Sequence, residues 1–307
     1  MNNTQKNIPV FPLDARVCFV GDSLTACAFW VDYIFEYYLE KFPGAKLRVY
    51  NAGIGCGTID FSMSYFEENI MIWNPTHVVI MFGANDMLHI HGSHEERAAI
   101  YEKKLRWMTD EFIKRGITVY YSTEPSYKEP VRNSEDMKIV SEVTYKLAEE
   151  YNTGVCDFYT TFTPFMENYR TEVMDPDNLH FSMVGQAVIA RLFLASQGFD
   201  IDTTDIEAML KRIELTYFGD RKNIFDRKLR NIWFSEALVL VAVIGQPVEK
   251  KMERLYNRIP TRANGAWDDL AFYKAIDYVE LRPNMNLYID QVEAAIDLML
   301  EEAAKKV

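Results

Sequence analysis

Residues 17–24 read VCFVGDSL: an apolar run ends at a glycine, and an acid and a serine follow at once. A short apolar run that ends at a glycine is typical of a buried strand. This strand would therefore end by presenting a hydroxyl. A serine acts as a nucleophile only beside a base, a group that orients the base and donors for an oxyanion, so the rest of the chain decides what Ser23 can do.

Short apolar runs alternate with longer amphipathic segments through about residue 200. The pattern predicts strands at 16–20, 46–50, 77–82, 117–122 and 154–158. It predicts helices at 25–41, 58–69, 95–115, 135–151 and 183–197. Strands separated by helices of this length form a parallel sheet that is covered on both faces. Because such sheets bind ligands at the carboxyl ends of their strands, Ser23 lies on the edge where a site is expected.

The remaining hundred or so residues lack this alternation. The pattern predicts only helices there, at 203–215, 223–243, 247–256, 268–279 and 288–306. We therefore expect a domain at 1–200 and a helical C-terminal domain at 201–307. Its aromatic residues suit packing against the main domain or a second copy, so the tail either caps the site or supports a homo-oligomer.

Composition narrows the classes of partner. The chain has 307 residues and a net charge of −12, which disfavours nucleic acid and anionic membranes as partners. Four cysteines form no CxxC pair, as is usual for thiols of a reducing compartment. No leader pattern is seen, and the apolar run at 237–245 is too short for a membrane span. We expect a cytoplasmic protein that needs no cofactor.

A base for Ser23 must be one of five histidines. His180 lies in DPDNLHFS (175–182), and Asp177 precedes it by three residues. In a turn, this spacing lets a carboxylate reach Nδ1 of the imidazole and leaves Nε2 to accept a serine proton. The same residue types also suit a loop that begins a helix, so both interpretations stay open for this segment alone.

Two further segments follow predicted strands. In GAND (83–86), the Asn85 side chain can direct an N–H at an oxyanion, although Gly and Asn are also common in turns. NAGIGCGT (51–58) has three glycines in five residues, which suits a loop whose N–H groups approach a ligand closely. Phosphate binding is the alternative use of such a loop, but the segment matches neither GxGxxG nor a P-loop.

The segments GDSL (21–24), NAGIGCGT (51–58), GAND (83–86) and DNLH (177–180) together resemble the four sequence blocks of the SGNH (GDSL-type) hydrolases. The resemblance covers about residues 14–198 and none of the helical tail. It implies a flavodoxin-like three-layer α/β/α sandwich, here with a five-stranded parallel sheet, and a serine esterase. In that family pattern Ser23 is the nucleophile, His180 the general base and Asp177 the residue that orients the imidazole.

The resemblance also implies an oxyanion hole. Its donors would be the backbone N–H of Ser23, the side chain of Asn85 and one backbone N–H of the 51–58 loop. The family usually has the second glycine of an N-x-G-x-x-G arrangement at that place, where this chain has Cys56. If the donor needs a positive φ, the cysteine is strained and Gly55 or Gly57 takes its role.

Residues that follow strand ends are expected at the rim of the site. We assign Asp22, Gly55, Asp86 and His89 to substrate binding; further rim candidates are Asp60, Trp73, His91, His94 and Tyr127. The three histidines at 89, 91 and 94 have a spacing that can chelate zinc, but no Asp or Cys obviously completes the set. We predict no metal.

The family includes lipases, thioesterases, lysophospholipases and carbohydrate esterases, so the fold does not choose the ester. Our first expectation is removal of a small acyl group, mainly acetyl, from a carbohydrate, so that the partner is a small-molecule or oligosaccharide ester. A thioesterase or a short-chain lipolytic esterase is the alternative within the same chemistry. Outside enzymes, a flavodoxin-like module that only binds a ligand is the alternative.

Overall fold

The computed structural model describes residues 6–26, 29–127, 132–175, 178–211 and 282–305. Five parallel strands form one sheet: β1 Arg16–Gly21, β2 Arg48–Asn51, β3 His77–Met81, β4 Thr118–Ser122 and β5 Val155–Cys156. Their order is β2-β1-β3-β4-β5, which is the flavodoxin-like order. The predicted five-stranded parallel sheet is thus confirmed.

The order in which strands are added reverses at β1, since β2 lies on one side of β1 and β3 lies on the other. In register, Gly21 of β1 pairs with Met81 of β3, and Phe19 pairs with Asn51 of β2. The segments after β1, β2 and β3 therefore leave the sheet at neighbouring points of one edge. That edge is the crevice in which open α/β sheets bind ligands.

Helices cover both faces of the sheet. They are α1 Ser23–Ala26, α2 Phe29–Lys41, α3 Ile59–Ser64, α4 His94–Lys114, α5 Ser134–Glu150, α6 Phe158–Thr161, α7 Thr163–Asn168, α8 Arg170–Val173 and α9 Met183–Ser196. α2 packs against α9, and α4 packs against α5. Right-handed crossovers in a sheet of this order put these two pairs on opposite faces.

The core between sheet and helices is aromatic. Trp30 of α2 is fully buried and meets Phe19 of β1 edge to face, with ring centroids 5.1 Å apart. Phe193 of α9 contacts both rings, and Phe158 packs on Trp30 at 5.9 Å. Aromatic pairs of this geometry add to the free energy of burial, so they fix α2 and α9 on the sheet.

Some elements differ from the sequence-based expectation. β5 has two residues, although five were predicted. The helix predicted at 58–69 ends at Ser64 and continues as a π-helical turn, Phe66–Ile70, and a 3₁₀ turn, Met71–Trp73. The three short helices α6, α7 and α8 were not predicted, because segments of four to six residues are too short to show helical periodicity.

The C-terminal region is described only in part. The chain divides into two units, Met1–Asp226 with Leu300–Val307, and Arg227–Met299. Residues 206–211 are helical, and a 23-residue helix spans Arg282–Ala304. The helices predicted at 223–243, 247–256 and 268–279 lie outside the described residues. None of the helices in the described residues combines the length and the hydropathy that a membrane span requires.

Candidate active site

Ser23 begins α1 directly after β1, and its side chain is partly exposed. Two side chains hold the short helix in place. The Trp30 indole N–H donates to the carbonyl oxygen of Leu24 at 2.9 Å, and the Asn51 amide donates to that of Thr25 at 2.7 Å. The position of the Ser23 hydroxyl is therefore set from both α2 and the end of β2.

Antiparallel backbone contacts between residues 174–175 and 180–181 position His180. Met174 and Phe181 form an isolated bridge, and the Asp175 N–H donates to the His180 carbonyl oxygen at 2.8 Å. Beyond it, the Ser182 hydroxyl accepts from the Gly185 N–H and caps α9. Gly185 leaves no space for a side chain, since an added Cβ would lie 1.9 Å from the Val173 carbonyl oxygen.

The structure brings Ser23 and His180 together. Nε2 of His180 lies 2.9 Å from Oγ of Ser23, although 157 positions separate the two residues along the chain. This is hydrogen-bond distance between a hydroxyl and the nitrogen that would take its proton. Asp177, the predicted orienting residue, lies outside the described residues.

The loop after β2 passes close to Ser23. The Asn51 side chain accepts from the Gly53 N–H at 2.8 Å while it donates to Thr25, so one residue ties the loop to α1. Gly53 is required by close approach, because an added Cβ would lie 2.3 Å from the backbone nitrogen of Ala26. The loop and the start of α1 therefore form one packed unit at the sheet edge.

Cys56 has a left-handed backbone conformation, with φ of 57°, and its side chain is exposed. Neither neighbouring glycine has a positive φ in this range. A non-glycine residue in this region costs about 1 to 2 kcal/mol. Cys56 thus has a backbone conformation that is usually found at glycine.

Asn85 follows β3, and its side chain is held from three directions. Nδ2 donates to Oδ2 of Asp22 at 3.1 Å and to the Gly57 carbonyl oxygen at 3.2 Å, and Nη2 of Arg132 donates to Oδ1 at 3.2 Å. The guanidinium therefore fixes which end of the amide is oxygen. The N–H groups face Asp22 of the GDSL segment and Gly57 of the 51–58 loop.

Asp22 and Asp86 are buried, with 2% and 0% of their surface exposed. Asp22 accepts from the Leu24 N–H at 2.9 Å, and Asp86 accepts from the Ile59 N–H at 3.1 Å. The structure does not place either carboxylate where a ligand could touch it. The expectation that they bind substrate is therefore corrected: both hold loops, and only Gly55 and His89 of the four assigned residues keep accessible surface.

Burial also changes the protonation of these carboxyl groups. It raises the pKa of Asp22 to about 6, against the partial compensation of the Leu24 N–H, Arg132 and His180. It raises the pKa of Asp86 to about 7, although Lys104 lies 4.0 Å away. In both cases the hydrogen-bond donors around the buried carboxyl group are too few to replace water, so the ionised carboxylate is not fully stabilised.

The remaining rim candidates differ in how far they are exposed. Trp73 and Tyr127 are buried, and Trp73 stacks on Tyr50 next to the amino end of β3, so their assignment to the rim is wrong. His94 lies at the start of α4, with its ring nitrogens 3.2 Å from Glu135 and 3.7 Å from Glu142 of α5. Among the described residues, no group of three or more His, Cys, Asp or Glu could hold a metal ion.

Sequence analysis missed two residues at this edge, Glu124 and Arg132. Glu124 follows β4 by two positions and is 1% exposed. Arg132 precedes α5 and contacts Asn85. The available signal was a carboxylate directly after a buried strand and before Pro125, at the edge to which Ser23 and Asn85 also belong.

Comparison with known proteins agrees with this architecture. The model of the GDSL-like lipase/acylhydrolase family matches residues 19–188. An acetylxylan esterase of Geobacillus stearothermophilus is 26% identical over 210 residues, which are 60% of this chain and 94% of that protein. The crystal structure of an acetylxylan esterase from the same organism has a TM-score of 0.52 at 25% identity, and the match covers 61% of this chain and 95% of that chain.

Two other solved structures are similar. A lipase/acylhydrolase from Enterococcus faecalis has a TM-score of 0.51 at 25% identity and covers 60% of this chain and 96% of that chain. A gut microbial diltiazem-metabolizing enzyme has a TM-score of 0.56 over 63% of this chain, and this chain spans about half of it (49%). At 23% identity, that second likeness concerns the fold alone.

The family model matches more than half of this chain, so the chain belongs to the GDSL-like lipase/acylhydrolase family. It is therefore a carboxylic ester hydrolase. The family resemblance inferred from the four sequence blocks is confirmed.

Proposed function

We propose that the enzyme removes small acyl groups, acetyl in the first place, from a carbohydrate through an acyl-enzyme on Ser23. The observation that carries the proposal is the 2.9 Å contact between Oγ of Ser23 and Nε2 of His180 at the carboxyl edge of the sheet. A flavodoxin-like module that only binds a ligand needs no such pair.

In the acylation step, Nε2 of His180 accepts the Ser23 proton while Oγ attacks the ester carbonyl carbon. The tetrahedral intermediate then collapses, and the imidazolium returns the proton to the leaving alcohol. Water, activated by the same imidazole, hydrolyses the acyl-enzyme and restores the hydroxyl. Asp177, three positions before His180, is proposed to hold the ring by Nδ1, as its sequence spacing suggests.

We propose that the oxyanion accepts hydrogen bonds from the backbone N–H groups of Ser23 and Cys56 and from the side-chain N–H of Asn85. Ser23 begins a helix, where backbone N–H groups have no partner within the helix. Asn85 donates to the neutral Gly57 carbonyl at 3.2 Å in this structure. A developing oxyanion competes well for that N–H, since hydrogen bonds to charged oxygen are about twice as strong.

The choice of acetyl on a carbohydrate rests on similarity to the acetylxylan esterase, nearly all of whose length this chain covers. A polar ligand also suits the exposed Gly55 and His91 and the partly exposed His89, which follow β2 and β3 at the proposed rim. A short-chain lipolytic activity is the second candidate, because the Enterococcus relative is named a lipase/acylhydrolase and Leu88 is 48% exposed beside His89.

The test is release of acetate from acetylated xylo-oligosaccharides, measured beside p-nitrophenyl esters of increasing acyl length and acyl-CoA thioesters. The proposal predicts the highest kcat/KM for acetylated sugar and a steep fall beyond short acyl chains. Ser23→Ala, assayed on the best substrate, supplies the background. Preference for long acyl chains or for thioesters would replace the carbohydrate assignment, and activity that survives in Ser23→Ala would remove Ser23 from the reaction.

A further inference from the structure

Arg132 is a half-buried cation to which the reaction proposed above gives no role. Its Nη2 donates to Oδ1 of Asn85 at 3.2 Å, so the guanidinium contacts the residue that is proposed to supply an oxyanion donor. Asn85 itself is 9% exposed, so this contact lies largely away from water. A hydrogen bond from a cation is about twice as strong as one between neutral groups. The guanidinium can therefore influence how the amide acts.

The start of α5 brings Arg132 to the segment that follows β3. Asn133 caps this helix, since its side chain accepts a backbone N–H of the first turn at 2.8 Å, and Arg132 directly precedes the cap. Further along α5, Val140 packs on Gly83, where an added Cβ would lie 2.4 Å from Cγ1 of Val140. Gly83 lies two positions before Asn85. Helix and segment thus approach closely enough for the arginine side chain to reach the amide.

Two opposite charges set the orientation of the Asn85 amide. Oδ2 of Asp22 accepts from Nδ2 at 3.1 Å, while Arg132 donates to Oδ1 on the other side. The reversed amide would direct its oxygen at the carboxylate and its NH₂ group at the guanidinium, and both contacts would be repulsive. In the observed orientation, Nδ2 also donates to the Gly57 carbonyl oxygen, and this is the N–H that an oxyanion can take over.

The same two charges have opposite effects on that N–H as a donor. A carboxylate that accepts one N–H of an amide increases the electron density on the nitrogen and so weakens the other N–H as a donor. A guanidinium at the carbonyl oxygen withdraws electron density from the nitrogen, because hydrogen bonds in a chain polarise one another. Arg132 therefore offsets the effect of Asp22 and strengthens the N–H that faces Gly57.

We propose that Arg132 is a positioning residue: by donating to Oδ1 it holds and polarises the Asn85 amide, so that the amide N–H stabilises the oxyanion. This inference rests on the proposed function, in which Asn85 is an oxyanion donor. The ester carbonyl oxygen gains most of its charge only after attack, so the stronger donor acts in the transition state more than on the bound substrate. Loss of the guanidinium should lower kcat and leave KM nearly unchanged.

Two substitutions test the role of the guanidinium, with p-nitrophenyl acetate as substrate at pH 8, where Asp22, with a pKa of about 6, is ionised. Arg132→Met keeps a long side chain and removes the cation, so kcat should fall about tenfold, equivalent to about 1.4 kcal/mol. Arg132→Lys keeps the charge without the planar fork, so its kcat should fall only about threefold. Lys138→Met removes a cation from the exposed surface of α5, and this matched control should equal wild type.

A double-mutant cycle tests whether Arg132 acts through Asn85. In an Asn85→Ala background, Arg132→Met should change kcat by less than about twofold, whereas a merely structural role would cost the same in both backgrounds. Trifluoroacetone adds a second readout, because its adduct on Ser23 would carry an oxyanion. Its inhibition constant should rise about tenfold in Arg132→Met, in parallel with the fall in kcat, while KM stays constant.

The outcomes separate this inference from the proposed function. Wild-type kcat in Arg132→Met, beside an impaired Asn85→Ala, would overturn the positioning role, and so would a higher KM at constant kcat, which would assign Arg132 to substrate binding. Activity in Ser23→Ala, or wild-type kcat in Asn85→Ala, would instead overturn the proposed function. Urea unfolding checks each variant, and if Arg132→Met does not fold, Arg132→Gln, which also lacks the charge, replaces it in the cycle.

Discussion

Replacing Asp86 by Asn should make the stability of the protein less dependent on pH. Asp86 is fully buried, and its carboxyl group accepts the Ile59 N–H that starts α3. The pKa of Asp86 is about 7, against 3.8 for an exposed carboxyl group. An Asn side chain keeps an acceptor for Ile59 and cannot ionise. The substitution thus removes one titration while it preserves the contact that holds the loop.

The sign and size follow from linkage. A raised pKa gives stability that is fully present below pH 3.8 and is lost as pH rises through about 7. Between these limits the loss is about 1.4 kcal/mol per pH unit. From pH 5 to pH 8, wild type should therefore lose on the order of 3 kcal/mol through Asp86 alone, and the variant should not. In a domain of this size the difference amounts to about 5 to 10 °C in Tm.

The assay is denaturant unfolding of wild type and Asp86→Asn at pH 5 and pH 8, in the same salt. Between pH 5 and pH 8, the difference in unfolding free energy between the two proteins should shift by on the order of 3 kcal/mol in favour of the variant. Asp14→Asn changes one exposed carboxylate and should leave the difference near zero. A difference for Asp86→Asn that stays constant across this range would refute the reasoning that Asp86 is protonated in the folded state below neutral pH.

Two further predictions concern the proposed oxyanion hole. Asn85→Ala should lower kcat by about 10²- to 10³-fold with a much smaller change in KM, measured on p-nitrophenyl acetate, and an effect confined to KM would assign Asn85 to substrate binding instead. Cys56→Gly should raise the free energy of urea unfolding by about 0.5 kcal/mol, because relief of the left-handed strain exceeds the added entropy of the unfolded chain; Cys56→Val should lower it, and equal stabilities would show that this φ is not strained.

Much of the fold could be predicted because its signals are local. The helices α4 and α5 each have one buried and one exposed face, and the strands β1, β3 and β4 are buried apart from their first residue. Packing decided the elements that differed. β5 is only Val155–Cys156, since pairing with β4 at Tyr121 and Ser122 supports no longer ladder. The 58–69 segment was expected to be one helix, but its hydrogen bonds change type after Ser64, which no residue pattern indicates.

Site residues could be predicted only where they belong to a recognisable sequence motif and the motifs follow one another in the order typical of the family. Ser23 and His180 were paired because the family blocks name them, and the structure places the two atoms in contact. The sequence does not reveal burial, so Asp22 and Asp86 were expected to contact ligand although they lie beneath the surface. Glu124 was missed for the same reason, because its burial at this edge is visible only in the structure.

The central claim is that Ser23 forms the acyl-enzyme, and covalent labelling tests it most directly. The enzyme would be treated with a fluorophosphonate, digested and mapped by tandem mass spectrometry while esterase activity is followed in parallel. We predict one adduct per chain on Ser23, lost activity in proportion to labelling, and neither label nor hydrolysis in Ser23→Ala. An adduct on another residue, or full hydrolysis of acetyl esters by Ser23→Ala, would contradict the claim.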